Sequence, residues 1–359
     1  NPVDGMLDEA ILKLSPDDLL TQGDDIISEV ASLDDRAVVI GGGIGIGAEA
    51  SVMLSSQGIE ASGISTSHGL GVQVSIDVDD QMTSSWESSS SRRLIEGIPD
   101  CVSTAVEWAQ KTRNPVEIKS EAQDTPVIMT SQGISSLFSN IIRPSILGER
   151  MVRGESYWSG KLNDVVLDNH LTMMDDRRME GGFGSGSRDA EGVPTSCHTI
   201  IENGTLRKML WSSRDAAKNV AEGRIDSATS TGSASRGSHM SPPVTGCGDV
   251  HLLSSKPPMS LDEMIETMGT GYVIHSVMGA HTANPTSGDF SVTSSTVLRI
   301  EEGEILGPIK QAGVSGNLFK ALSKEVSLGH SSTRNGVSST GTNHLSNVLL
   351  AQGMRINPA

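Results

Sequence analysis

The segment from residue 269 to residue 318 constrains the fold of this chain most strongly. It contains runs rich in Val, Ile, Thr and Phe, and turn signals at Gly288-Asp289 and Glu302-Gly303 separate these runs. Short runs of β-branched and aromatic residues between Gly-containing turns are typical of antiparallel strands. The segment therefore predicts a β-meander.

The same patterns along the whole chain predict an α+β fold. Helical spacing of apolar residues follows the cap signal Ser15-Pro16 and returns over residues 94–112, whereas residues 37–78 have the composition of strands. The regular strand–helix alternation of a parallel sheet is missing. We predict two domains with mostly antiparallel sheets, an N-terminal α+β domain over residues 1–118 and a C-terminal β-rich domain over residues 119–359.

Composition and charge exclude several classes of function. The 359 residues include 27 Lys plus Arg against 44 Asp plus Glu, a net charge of −17, which repels phosphate backbones and argues against direct binding of nucleic acid. No apolar run reaches the ~18–20 residues of a membrane span, and no signal peptide is visible. The chain begins at Asn1 without Met, so we expect a trimmed N-terminus. Three widely spaced cysteines, Cys101, Cys197 and Cys247, favour a reducing compartment and a cytoplasmic location.

A glycine-rich segment raises the possibility of a nucleotide-binding enzyme. Gly41–Ala48 follows the strand-like run Ala37–Ile40 and satisfies G-x-G-x-x-A at Gly43, and Glu60 lies seventeen residues beyond Gly43, near the place of a ribose-binding acid. The poor crossover helix after Ala48 weighs against this function. The other interpretation is a glycine-rich strand in which the backbone bends or packs closely.

Five short motifs in the C-terminal two-thirds of the chain appear in a fixed order. Together they resemble the TldD/PmbA family, whose members include the two subunits, TldD and TldE (PmbA), of a zinc-dependent protease. The resemblance is broad from about residue 125 to the end and looser before it. The motifs are Asp189–Thr195 (DAEGVPT), Ile200–Leu206 (IIENGTL), Ser230–Ala234 (STGSA), Leu261–Gly271 (LDEMI and the following GTG) and Ser287–Val292 (SGDFSV).

The resemblance implies a zinc-binding H-E-x-x-x-H helix just before the segment Gly154–Lys161. An apolar face from Ile134 to Ile142 predicts a helix there, ended by Pro144. A count without gaps places Ser139 at the first His of the motif, Asn140 at the Glu and Pro144 at the second His. A hydroxyl, an amide and a proline cannot replace two imidazoles and a general base.

The other expected ligand is also missing from the sequence. The resemblance places a cysteine ligand near residues 336–338, but no cysteine follows Cys247, and no two of the nine histidines are three to five residues apart. We therefore expect no catalytic residue, no metal ligand and no cofactor in this chain, with zinc bound by a TldD-like partner. A metal site formed by the distant histidines His239, His251, His275 and His281 is the alternative, and it would make the chain a metallopeptidase active by itself.

The resemblance thus predicts a TldE/PmbA-type subunit without catalytic activity of its own. Its partner would be a TldD-like catalytic subunit in a heterodimer, or a second copy in a homodimer, and its substrates would be peptides or unfolded proteins. Any effect on DNA gyrase, after which some family members are named, would then be proteolytic and indirect. Six residues in two loops are candidates for peptide or partner contact: Ser230, Thr231, Gly232, Ser287, Gly288 and Asp289.

Overall fold

The computed structural model describes residues 2–78, 81–118, 124–238, 240–330, 333–338 and 341–358, and for 333–338 and Gly341 it describes the backbone alone. The predicted boundary between residues 118 and 119 adjoins a stretch outside the described residues, so it stays a prediction. Within the described part of the chain, no helix is both long and apolar enough to cross a membrane.

The N-terminal part is a three-stranded antiparallel sheet with two helices on one face. The pattern Ser15-Pro16 starts the first helix as predicted, since Ser15 and Asp18 form a capping box. Both helices pack on Leu70, Val72, Val74 and Ile76 of the central strand. The elements are a 3-10 turn (Ile11–Lys13), helices α1 (Pro16–Leu33) and α2 (Asp100–Lys111), and strands β1 (Ala37–Leu54), β2 (Glu60–Val78) and β3 (Gln81–Ser91), in the order β1-β2-β3.

The helix predicted over residues 94–112 is present but shorter, since α2 spans only Asp100–Lys111. Gly97 has a φ of +66°, and Pro99 with an extended backbone is the N-cap, so α2 starts only at Asp100. Leu94 and Ile98 precede the helix. Their apolar spacing fits the helical pattern, but the left-handed glycine and the proline set the boundary.

The glycine-rich segment lies inside β1, so the nucleotide-binding interpretation is wrong. A dinucleotide fingerprint needs a tight turn followed by a helix N-terminus, whereas β1 continues to Leu54 and turns back into β2. Gly41, Gly43, Gly45 and Gly47 alternate along the strand and therefore lie on one face of the sheet.

The C-terminal part contains four sheets and most of the hydrophobic core. Its helices are α3 (Ser131–Leu137), α4 (Arg143–Ser145), α5 (Gly148–Val152), α6 (Ser213–Ala221), α7 (Leu261–Met268) and α8 (Leu318–Ala321), with a π turn at Phe138–Ile142 and a 3-10 turn at Ala280–Thr282. Its strands are β4 (Val127–Met129), β5 (Leu171–Asp176), β6 (Cys197–Glu202), β7 (Thr205–Leu206), β8 (Ala234–Ser235), β9 (Val244–Thr245), β10 (Asp249–Ser254), β11 (Gly271–Ile274), β12 (Asp289–Ser294), β13 (Val297–Glu301), β14 (Glu304–Ile309), β15 (Ala312–Asn317), β16 (Val326–Leu328), β17 (Thr333–Ser338), β18 (Gly341–Leu345), β19 (Val348–Leu350) and β20 (Met354–Pro358).

Two six-stranded sheets dominate this part. Their orders are β17-β18-β10-β5-β6-β7 and β14-β13-β11-β4-β19-β16, and smaller sheets have the orders β12-β15-β20 and β8-β9. Among the described pairs of strands, β10–β18 and β11–β4 are parallel, and the others are antiparallel. The prediction of an α+β fold with mostly antiparallel sheets is confirmed.

The predicted meander over residues 269–318 is right in its strands and wrong in its pairing. The turn Glu302-Gly303 joins β13 and β14 as a hairpin, and both of its residues have positive φ, as such hairpins require. Strand β12, however, pairs with β15 in a different sheet, because the β13–β14 hairpin joins β11 instead. Local turn chemistry specifies a hairpin, whereas the choice of sheet depends on distant strands.

Candidate functional site

One continuous helical segment carries the three positions at which the resemblance expects a metal motif. It runs through α3, the π turn and α4, from Ser131 to Ser145, and α3 contacts both β17 and β18. Thr130 caps its start by accepting a hydrogen bond from the backbone N–H of Gly133. Pro144 was predicted to end the helix, and the continuous segment ends one residue later, at Ser145.

The π turn at Phe138–Ile142 gives this segment an unusual geometry. In an α-helix, side chains five positions apart differ by about 140° around the axis. A π turn bonds residue i to residue i+5 and so brings such positions nearly above one another. The π turn therefore brings residues 139 and 144 closer to one face of the segment than a regular α-helix would, and no residue pattern in the sequence predicted this turn.

The residues at those positions do not fit a zinc ion. Ser139 Oγ accepts a hydrogen bond of 2.7 Å from Asn343 Nδ2 of β18. The Asn140 amide donates to the carbonyl of Ser136 in its own helix, at 2.8 Å. Pro144 offers no ligand atom. Zinc sites use thiolate, imidazole or carboxylate ligands, and none of these stands at the three positions.

A guanidinium group lies beside these positions and joins the helix to two strands. Arg143 Nη1 donates to Asn343 Oδ1 at 3.2 Å and to the carbonyl of Thr342 at 3.3 Å, and its Nη2 donates to the carbonyl of Cys247 at 3.1 Å. Burial raises the pKa of the Cys247 thiol to about 12, so this sulfur stays protonated at neutral pH. A fixed cation and a neutral thiol disfavour metal binding here.

A fully buried carboxyl group, that of Asp175, lies near the Arg143 guanidinium. Asp175 of β5 accepts a hydrogen bond of 2.6 Å from the backbone N–H of Gly248 and lies 3.8 Å from Arg177 Nε. Burial raises the pKa of Asp175, while the charges of Arg177 and Arg143 act in the opposite direction. Asp175 is therefore part of a polar network inside the chain together with Gly248 and Arg177.

The predicted contact residues Ser230, Thr231 and Gly232 are held within the chain. The Thr231 hydroxyl donates to the carbonyl of Trp211 and accepts from its backbone N–H. The Thr231 carbonyl lies 2.6 Å from His198 Nε2. A side chain at Gly232, with a φ of +69°, would collide with the carbonyl of Pro194. The loop is therefore well anchored, and its role in binding stays a prediction.

The other predicted group, Ser287, Gly288 and Asp289, forms the turn before β12. Asn317 Nδ2 donates to Asp289 Oδ1 at 2.7 Å, and this bond holds the pKa of Asp289 below its usual value. Gly288, with a φ of +81°, packs against the ring of Phe319. These contacts stabilise the turn, and a binding role for it also stays a prediction.

A cavity of about 580 Å³ that the sequence did not predict lies between the N-terminal sheet and the start of α3. Its walls include Glu87 of β3, Trp108 of α2, Thr130, and His275 after β11. His275 Nε2 lies 2.5 Å from Glu87 Oε1, its Nδ1 lies 3.1 Å from the Thr130 hydroxyl, and its ring stacks on Trp108 at 4.0 Å. No motif marks Glu87 or His275, because they meet only in the folded chain, 188 residues apart.

The comparison with known families decides the membership of the chain. Residues 122–353 match the family model described as the PmbA/TldA metallopeptidase C-terminal domain. The chain belongs to the PmbA/TldD family of metalloproteases. The resemblance found in the sequence is thereby confirmed.

Relatives of this PmbA/TldD chain cover it to different extents. An uncharacterised protein of Methanocaldococcus jannaschii is 26% identical over 325 residues, which are 90% of this chain and 72% of that protein. A metalloprotease of Methanothermobacter thermautotrophicus is 30% identical over 48% of this chain and 35% of its own length. Metalloprotease PmbA of Escherichia coli O157:H7 is 27% identical over 59% of this chain and 42% of its own length. The chain thus matches less than half of each of these two metalloproteases.

Solved structures of similar proteins share the fold. TldE from Thermococcus kodakarensis, known from a crystal structure, is 25% identical in sequence to this chain. The two structures superpose with a TM-score of 0.86, and the match covers 98% of this chain and 76% of that one. A Thermotoga maritima protein described as a modulator of a DNA gyrase is 24% identical, with a TM-score of 0.82 over 96% of this chain and 75% of its own. The PmbA/TldD fold therefore extends over the N-terminal sheet, where the sequence resemblance is loose.

Of the histidines considered as distant metal ligands in this PmbA/TldD member, His251 lies in β10 and His275 follows β11. His251 stacks on His344 with ring centres 4.3 Å apart, and His275 lines the cavity. Among the described residues, no three His, Cys, Asp or Glu side chains are arranged so that they could hold a metal ion. His239, named in the alternative of a distant histidine site, lies outside the described residues.

Proposed function

We propose that this chain is a non-catalytic, TldE/PmbA-type subunit of a two-chain zinc metalloprotease. One observation carries the proposal: the helix with its π turn and the strands that it contacts are present, but Ser139, Asn140 and Pro144 stand at the ligand and base positions that the resemblance implies. The first two make hydrogen bonds inside the chain. A protease zinc needs protein ligands and a base for the attacking water, and these positions supply neither.

The partner in this proposal is a TldD-like chain that carries H-E-x-x-x-H and binds the zinc. This chain would complete a shared chamber and offer strand edges to extended peptides, whose main-chain hydrogen bonds require no particular sequence. The similarity in fold to TldE of Thermococcus kodakarensis supports this role. Self-association into a homodimer is the other assembly that the proposal must be tested against.

We also propose a cytoplasmic location. The three cysteines are free thiols: Cys101 is half-buried, Cys197 is exposed and Cys247 is buried. Exposed free thiols are uncommon in oxidising compartments, where they pair or react.

The decisive experiment is to express the chain alone and together with an H-E-x-x-x-H homologue. Alone, the chain is expected to contain no stoichiometric zinc and to leave unfolded peptides intact. Together, the two chains are expected to co-purify with zinc and to cleave peptides until a chelator removes the metal. Peptide cleavage is followed by mass spectrometry, and the zinc content by elemental analysis.

Two variants separate the roles of the subunits. Replacing the first His of the motif in the partner should abolish cleavage without breaking the complex, whereas Ser139→Ala in this chain should leave cleavage intact. Stoichiometric zinc together with chelator-sensitive cleavage by this chain alone would contradict the proposal and favour a single-chain metallopeptidase.

A further inference from the structure

Strand β1 forms an open edge of the N-terminal sheet. It stands first in the order β1-β2-β3 and pairs with β2. On β2, the backbone N–H of Thr66 donates to the carbonyl of Met6 and so points away from β1. Residues of an antiparallel strand point their backbone groups alternately to the two sides, so Ser67 points toward its partner Gly47 on β1. The even-numbered residues from 42 to 54 therefore direct their N–H and C=O groups to the open edge.

This edge lacks the features that usually prevent a strand from pairing with another chain. Natural edge strands are protected by Lys, by Pro, by short length or by strong bulges. Strand β1 has 18 residues without Lys or Pro, and its bulge is confined to Val39–Gly41. Glu49 is its single charged residue in a chain with a net charge of −17. Two copies of the chain can therefore approach each other along β1 with little repulsion.

The apolar residues of β1 are arranged symmetrically about Ile46. Two apolar triplets, Val38–Ile40 and Val52–Leu54, lie at equal distances from Ile46, and the stretch between them is mostly Gly and Ala. The first and last residues of both triplets are more than half exposed, and Ile46 is 38% exposed. Two antiparallel copies of β1 with Ile46 facing Ile46 place each triplet opposite the other triplet of the second copy.

The backbone and the charges are compatible with this register. Ile46 directs its backbone groups to the open edge, so two facing copies of it form a hydrogen-bonded pair. Glu49 falls opposite Gly43 of the second copy. The two Glu49 carboxylates are then roughly 20 Å apart along the strands, well beyond the screening length of about 8 Å at physiological salt. A strand that pairs antiparallel with its own copy also satisfies two-fold symmetry.

The helix-covered face of the sheet also favours a second copy. The N-terminal cluster extends along β1 as far as Ile44, whereas Val52 and Leu54, further along the same face, are 72% and 71% exposed. A two-fold axis perpendicular to the sheet puts the helices of both copies on one face. Helix α1 of the second copy then lies beside residues 48–54 of the first. Each copy thus brings a helix next to apolar residues that the other leaves uncovered.

We propose that the open edge of β1 binds a second copy of this chain, in a two-fold antiparallel β1–β1 pair centred on Ile46 that joins the two N-terminal sheets. A peptide or a chain of different sequence requires no symmetry within β1, whereas a second copy does. The pairing does not rest on the proposed function, which zinc content and peptide cleavage test separately. Strand β1 packs mainly on β2 and α1, so each paired copy can still bind a TldD-like chain through its C-terminal part.

The test measures the mass of the full chain in solution by analytical ultracentrifugation at micromolar concentration. The wild type is expected to be a dimer. Ile46→Lys places two ammonium groups against each other across the axis, so the dissociation constant of the dimer should rise at least about a hundredfold. Ile305→Lys is the matched control, because Ile305 is 47% exposed on β14, the edge strand of another sheet. This control should remain a dimer.

A disulfide cross-link reports the register without relying on a disruptive variant. The Cα atoms of a hydrogen-bonded antiparallel pair are about 5.5 Å apart, which is within the range of a disulfide. Ile46→Cys should therefore form a covalent dimer on mild oxidation, in a Cys197→Ser background that removes the exposed native thiol. Leu54→Cys is the control in the same background. Its two copies are roughly 50 Å apart in the proposed pair, so it should not cross-link.

Several results would overturn the proposal. A monomeric wild type would do so, as would a dimer that survives Ile46→Lys or equal cross-linking of the two cysteine variants. A monomer that binds an H-E-x-x-x-H homologue, and loses this binding in Ile46→Lys, would show that the edge of β1 belongs to that partner instead.

Discussion

At the scale of single residues, Asn343 explains how the helix can pack on β18 without a metal. Its amide nitrogen donates to Ser139 Oγ at 2.7 Å and to Ser135 Oγ at 3.1 Å, and its oxygen accepts from Arg143. The side chain is almost fully buried. Because each of its polar atoms has a partner, one uncharged residue holds together a group of polar side chains that would otherwise destabilise the interior.

Removing this amide should destabilise the fold measurably. We expect Asn343→Ala to lower the free energy of unfolding by about 2–4 kcal/mol, since it leaves two hydroxyls and one guanidinium N–H without their partner in a buried place. The matched control is Asn140→Ala. Asn140 donates only to a carbonyl of its own helix, so its loss should change stability by less than about 0.5 kcal/mol. Urea denaturation measures both, and equal effects of the two variants would refute this account of Asn343.

At the scale of elements, β1 shows what the glycine pattern could and could not reveal. A G-x-G-x-x-A match suggests a phosphate-binding turn, but glycines at 41, 43, 45 and 47 repeat with a period of two, which is the period of a strand. On β2, Gly71 lies opposite Gly43 and Gly69 opposite Gly45, and the ring of Trp86 from β3 covers Gly71. The two-residue period of the glycines can be read from the sequence, whereas the pairing of β1 with β2 cannot.

Two adjacent glycines of β1 should respond in opposite directions to alanine. An added Cβ at Gly43 meets nothing within 4 Å, and Gly43→Ala should raise the free energy of unfolding by about 0.4–1 kcal/mol, because it restricts the unfolded chain. Gly42 has a φ of +146° and its added Cβ would lie 2.4 Å from the carbonyl of Gly71. Gly42→Ala should therefore lower stability by about 1–3 kcal/mol. Thermal unfolding compares the two, and a stabilising Gly42→Ala would contradict this account of the Gly42 backbone.

The helical segment of the candidate site was predictable in position and unpredictable in detail. Apolar spacing from Ile134 to Ile142 located the helix, and counting placed Ser139, Asn140 and Pro144 on it. The π turn has no residue signature, because it depends on hydrogen bonds that widen one turn. The pairing of Arg143 with Asn343 spans 200 residues, a distance over which periodicity carries no information.

At the scale of the whole molecule, the N-terminal sheet is joined to the rest by more than a linker. Its own cluster contains Val102, Ala105 and Val106 of α2. Trp108 of the same helix instead packs with Met264, Leu298 and other residues of the C-terminal part. The sequence predicted two domains from a change in patterning, but it could not show that one aromatic side chain crosses between their cores.

The packing of Trp108 against the C-terminal core predicts how the two parts unfold. Trp108→Ala should cost about 3–5 kcal/mol, as large-to-small changes in a packed core do, and most of the loss falls on contacts between the two parts. We expect hydrogen exchange in β2 and in β11 to report one shared transition in the wild type and two separate transitions in Trp108→Ala, with β2 unfolding first. Val106→Ala shortens a side chain of the same helix inside the N-terminal cluster, so it should lower stability while the two transitions stay together. A single transition in Trp108→Ala would mean that the Glu87–His275 pair and the other contacts between the two parts couple them without the tryptophan.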